Sequence, residues 1–428
     1  TTMKKIFMYA MLFAAASATV LGFNSCSSDD PDHVQTLTEE EGYLQKVLGS
    51  YVDNTINPTY ASMAKNAETF YEQMKTLRDA VEKGTATQAM VDKACESWKA
   101  TRANYEMSEA FLLGAASDYN IDPHIDTWPL DLTALHNLLS SPNLLKNITT
   151  TDDEANIEYA HNNLNQNLLG FHAVEFVIFR NGAPRKVSSF KSGNDNFNDG
   201  VDFTDINALD ELKYSVAVAG DLKYSIFELE VCWAGGTEAH KKALEAQERK
   251  TTMPSSSITY GENMKKAGQV GSLYTSIKSA VSAILSGDHG CVGIVDEVGQ
   301  TKMGKPYGLG TNDENKESDP NYIESPFSHN SLTDFWDNIQ SVNNVWNGGF
   351  DANKRSSMSF ASYFKKYNPE LGTKVQNAIN NAQAKLKACP APFVANYKNA
   401  QVLAAINACD ELTKALGEAD EYIQQKKK

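Results

Sequence analysis

Apolar residues recur at intervals of three and four through most of this chain, and that period commits it to α-helices rather than strands. The clearest stripe is Leu209, Leu212, Val216, Ala219, Ile226, Leu229 and Trp233. Another runs through Leu332, Phe335, Trp336, Ile339, Val342 and Val345. Breakers are sparse, 26 glycines and 13 prolines in 428 residues, so a turn-rich β-sandwich is disfavoured. The expected fold is all-α, with two helical bundles packed side by side around a cleft.

The period predicts helices over 37–56 (stopped before Pro58), 60–83, 87–116, 132–139 and 152–179 in the first half. In the second half it predicts 206–248, 260–285, 332–346, 357–367, 369–387 and 393–416, with a break expected at Gly235-Gly236. The stretch 181–204 is rich in Gly, Asn, Ser and Asp and reads as the linker between a bundle at 37–180 and another at 205–428. A second long loop is expected over 287–323, with a short strand at Val292, Ile294 and Val295.

Residues 1–25 read as a secretory signal peptide: Lys4-Lys5, an apolar run from Ile6 to Phe23, then small residues before Cys26. Cys26 reads as a lipidation site, and the Ser- and Asp-containing stretch 26–36 as a tether to the outer membrane. That tether resembles those of outer-membrane lipoproteins in Bacteroidetes. The expected location is the cell envelope, periplasmic or surface-exposed. No apolar run of membrane-spanning length follows the leader. The formal net charge of −15, or −17 once Lys4 and Lys5 leave with the leader, argues against nucleic acid as a partner. With Cys26 anchored, Cys95, Cys232, Cys291, Cys389 and Cys409 remain, and Cys389 with Cys409 is the expected disulfide.

Chemistry concentrates where ionisable residues fall on apolar stripes. His172 and Glu175 share a helix face with Leu164, Leu168 and Phe179, and a buried imidazole and carboxylate need a metal, each other or an arginine. Gly170, one turn earlier, permits another backbone to approach. Arg102 and Glu109 lie on a stripe with Trp98 and Tyr105. Asp126 and Trp128 share a loop, and Ser328 precedes a predicted helix. A single ExxH occurs, Glu158 to His161, whereas a ferritin-like di-iron site needs two. HExxH, GxSxG, Walker and GxGxxG patterns do not occur.

Together these blocks resemble the imelysin-like family. Trp98 to Phe111 with Ile125 to Asp131 is similar to that family's first half, Gly170 to Phe176 to its GxHxxE signature, and Ser325 to Phe335 to its second-half motif. The resemblance implies an all-helical envelope protein linked to iron uptake and related to metallopeptidases. It implies a metal site at His172, Glu175 and Glu109, with Asp126 adding oxygen, Arg102 orienting Glu109, and Gly170, Trp128 and Ser328 shaping the cleft. Iron or another divalent metal is the expected cofactor, envelope iron-uptake proteins are the expected partners, and the chain is expected to be a monomer. The alternatives are a metallopeptidase using the same site and a non-catalytic surface lipoprotein that binds another ligand.

Overall fold

Thr38 opens the first described helix with a reciprocal cap: its hydroxyl accepts from Glu41 N at 3.1 Å while Glu41 accepts from Thr38 N at 3.0 Å. The computed structural model describes residues 37–309 and 317–425. The signal peptide, Cys26 and the tether lie outside the described residues. Glu39–Ser50 runs through a π-helical turn, Tyr51–Ile56, into Asn57–Glu82. Pro58 therefore does not stop the helix as expected. It sits in the first turn of Asn57–Glu82, where a missing N–H is tolerated.

Asn57–Glu82 packs against Gln88–Glu106 and against the 27-residue helix Ala208–Ala234. That long helix also packs on Asp153–Asn163 and Gly170–Ile178, and it ends, as the glycine pair predicts, at Gly235 (φ +86°). Towards the C-terminus, Pro369–Ala388 packs along Ala400–Gln425, and Ser331–Asn347 packs on both Pro369–Ala388 and Gln88–Glu106. Thr38–Lys428 clusters as one compact unit, and among the described residues its regular structure is helical apart from two-residue antiparallel pairs in or beside 181–204 and one isolated bridge, Asn194 with Asn207. No described helix is long and apolar enough to cross a membrane.

Five further expected elements are corrected. The 87–116 helix ends at Glu106, and Glu109 falls in a separate 3-10 turn, Glu109–Phe111. The 152–179 helix is two, Asp153–Asn163 (capped by Asp152) and Gly170–Ile178. The 260–285 helix is also two, interrupted by Gly268 (φ +78°) and Gly271 (φ +91°). The 287–323 loop contains a helix, Cys291–Asp296, a π-helical segment, Glu297–Met303, and another helix, Gly304–Tyr307. The strand expected at 292–295 is helical because Cys291, Ile294, Val295 and Val298 are buried at helical spacing. All five described cysteines are free and buried, so the Cys389–Cys409 disulfide is not formed; Cys409 faces Gly299 instead.

Candidate metal centre

Gly170 sets the site. Its φ is +73°, and a Cβ there would lie 1.9 Å from the carbonyl oxygen of Ile125. Only glycine allows Gly170–Ile178 to start this close to the short helix Ile121–Asp126, and the approach sets His172 beside Asp126. His172 Nδ1 is 3.0 Å from Glu175 Oε2, and its Nε2 is 3.3 Å from Asp126 Oδ1. Glu175 Oε1 accepts from Phe327 N (3.1 Å), Ser328 N (2.7 Å) and the Ser328 hydroxyl (2.7 Å). Both oxygens of Glu175 are therefore engaged. This fixes the imidazole and leaves Nε2 as the ring nitrogen facing the other carboxylates.

Behind Asp126 lies a dense buried charge network. Arg102, fully buried, pairs with Asp126, Glu106 and Glu324 (2.8 Å), and its Nε is 3.6 Å from Asp334. Its guanidinium also lies 5.1 Å from the centre of the Phe171 ring. Lys302, also fully buried, reaches Glu109 (2.9 Å), Glu324 (3.1 Å) and Glu106 (3.5 Å) and stands 5.3 Å from the Trp128 ring. Asn338 links Glu106 to Glu109. Trp128 is 6.5 Å from His172, ring to ring.

The charge balance is the informative property. Glu106, Glu109, Asp126, Glu175, Glu324 and Asp334 are buried together, against Arg102 and Lys302 as permanent cations. An uncompensated buried carboxylate is costly, so the excess must take up protons or a cation. The acidities follow. Burial pushes Glu109, Glu324 and Asp334 above the usual carboxylate range, with like-charged neighbours adding to it. Burial also opposes ionisation of Asp126, but Arg102 and His172 outweigh it and hold that carboxyl at about 2. Burial likewise disfavours the imidazolium of His172, yet Asp126 and Glu175 hold it up to about 9.

The residues present fit a cation. Asp126, His172 and Glu324 each offer a ligand atom within 4.8 Å of the others. Glu324 Oε2 is buried without a hydrogen-bond partner, and His172 Nε2 has only the 3.3 Å contact to Asp126. An ion there would replace the proton on His172 and compete with Arg102 and Lys302 for Asp126 and Glu324. One imidazole among carboxylates suits iron or manganese better than a thiolate-seeking metal. A cleft of about 930 Å³ opens on His172, lined among others by Trp128, Arg180, Phe197, Phe327 and His329.

Of the residues singled out in the sequence, Arg102, Asp126, His172, Glu175 and Ser328 meet directly, with Gly170 and Trp128 beside them. Glu109 joins through Lys302 and Asn338, and Arg102 contacts Glu106 rather than Glu109. Sequence reasoning did not single out Glu106, Lys302, Glu324, Asp334 or Asn338. Glu106 carries a readable signal, since it stands four residues after Arg102 on the same helix.

The fold and this centre define an all-helical protein with a buried histidine–carboxylate cluster. The Imelysin family model matches residues 56–419, and the chain belongs to that family. It is 21% identical to the iron-regulated protein A of Synechococcus elongatus over 351 residues, 82% of this chain and 77% of that one. A crystal structure assigned as an iron-regulated protein A precursor from Parabacteroides distasonis is similar at TM-score 0.70 and 26% identity, covering 91% of this chain and 97% of that one. An imelysin-like protein from Psychrobacter arcticum aligns at TM-score 0.49 and 14% identity over 90% and 94% of the two chains.

Proposed function

We propose that this imelysin-family chain binds an iron-class divalent cation through His172 Nε2, Asp126 and Glu324, in an envelope role linked to iron uptake, with Cys26 as its lipid anchor. The observation that carries the reading is the excess of buried carboxylate around an imidazole nitrogen whose one near neighbour is another ligand candidate, Asp126. Glu175 acts as the orienting residue for His172, and Ser328 holds Glu175 in place. Glu109 acts at a distance by holding Lys302. The names of the relatives, iron-regulated protein A, support the iron link. Binding is favoured over peptide hydrolysis because Glu175, which a peptidase would use as a metal ligand or a general base, has both oxygens occupied by hydrogen bonds.

The test is anaerobic equilibrium dialysis of the full chain against ferrous iron, with metal analysis. Wild type is expected to retain one equivalent that His172→Gln and Glu324→Gln each lose. Equal iron in all three proteins would overturn the site.

A further inference from the structure

A second cluster lies outside the network just described. It uses the ExxH histidine, His161, but not with Glu158. His161 on Asp153–Asn163, His124 on Ile121–Asp126 and Asp221 on Ala208–Ala234 converge from three helices. His161 Nδ1 is 2.9 Å from Asp221 Oδ1, and His124 Nε2 is 2.6 Å from Asp221 Oδ2. The two ring nitrogens are 3.3 Å apart. Two ligand nitrogens on a tetrahedral zinc-class ion stand about 3.3 Å apart, given metal–nitrogen bonds of about 2.0–2.1 Å. Both rings therefore present one nitrogen each to a common carboxylate at near-ligating separation.

The surroundings prepare Asp221 for this task. It is almost fully buried, and Arg249 Nη2 holds Oδ1 from behind at 2.6 Å. Arg249 is itself held by Ser225 (3.1 Å) and Glu228 (3.4 Å). Asp221 and Glu228 outweigh Arg249 by one charge, which favours an incoming cation. The histidines face outward, with side chains 15% exposed at His124 and 34% at His161, so an ion can enter from solvent and keep water in an open position. His124 and Asp126 share one short helix but point to different clusters, as residues two apart on a helix do.

We propose that His124, His161 and Asp221 form a second, solvent-accessible site for a divalent transition metal of the zinc class, separate from the His172 centre. Two imidazoles and one carboxylate with open positions select such an ion over calcium or magnesium. The test titrates the full chain with Zn²⁺ by calorimetry and with Co²⁺ as a visible-absorption probe. Wild type and His172→Gln are expected to bind one equivalent that His161→Ala and His124→Gln lack, while circular dichroism shows all four folded. The Co²⁺ d–d bands should vanish in the same two variants. Unchanged stoichiometry in both, or wild-type binding weaker than roughly 0.1 mM, would overturn the proposal and leave the cluster as a hydrogen-bonded His–Asp–His group. Loss of iron at His172 alone would not affect this outcome.

Discussion

Two histidine–carboxylate clusters share the helix Ile121–Asp126 but sit in opposite environments. Around His172 the carboxylates outnumber fixed cations, no side chain is appreciably exposed, and Arg102 and Lys302 thread between the acids. Around Asp221 one arginine stands between two carboxylates, Asp221 and Glu228, and two histidines reach solvent. The same donor types therefore face different costs. In the interior, charge must be compensated within the protein, so removing one member exposes the rest. At the rim, water reaches the two histidines, so a histidine can be lost with little effect on the fold.

The sharpest way to break this contrast is Arg102→Met. It leaves Asp126, Glu106, Glu324 and Asp334 without their shared cation and is expected to cost about 3–5 kcal/mol in denaturant unfolding. A loss below about 1 kcal/mol would mean that the acids are neutral without it. Gly170→Ala comes next. A left-handed backbone and a collision with Ile125 O should together cost about 2–4 kcal/mol and separate His172 from Asp126. Stability within about 0.5 kcal/mol of wild type would show that the close approach is not required.

A pH titration of the metal-free chain sharpens the interior half. His172 is raised from 6.5 to about 9 in the fold, so its charged form is favoured there. Its contribution to stability is complete below about pH 6.5 and is lost as pH rises through about 9. His172→Gln should flatten that decline in unfolding free energy between pH 7 and 9.5. An identical slope in both proteins would place the decline elsewhere. The smallest effect belongs to the rim: His161→Ala should change stability by no more than about 1 kcal/mol while leaving iron binding at His172 intact.

Much of this was legible from residue spacing and type. The helical period locates most helices, and Arg102, Asp126, His172, Glu175 and Ser328 stand out by residue type and spacing. Lys302 does not, because it lies in a stretch rich in Gly, Asn and Asp that reads as a loop, whereas it is a π-helical segment packed against Ala400–Gln425. Glu324 pairs with Arg102 across 222 residues, and Asp221 meets His161 across 60, distances over which local pattern carries no information. The breaks after Glu106 and near Leu164 lack a glycine or proline at the break itself. The second break falls among Asn162, Asn163, Asn165 and Asn167, which form helix poorly but do not mark an end as a glycine or proline does. Pro58 misled in the opposite direction, since a breaker residue is harmless in a first helical turn.

His172 Nε2 faces a cation position shared with Asp126 and Glu324. Crystals of the chain soaked anaerobically in ferrous iron, with data at the iron absorption edge, test it directly. The account predicts one anomalous peak about 2.1 Å from His172 Nε2, with Asp126 and Glu324 completing the set. Iron density elsewhere on the chain with none at His172, and Arg102 and Lys302 still holding Asp126 and Glu324, would contradict it.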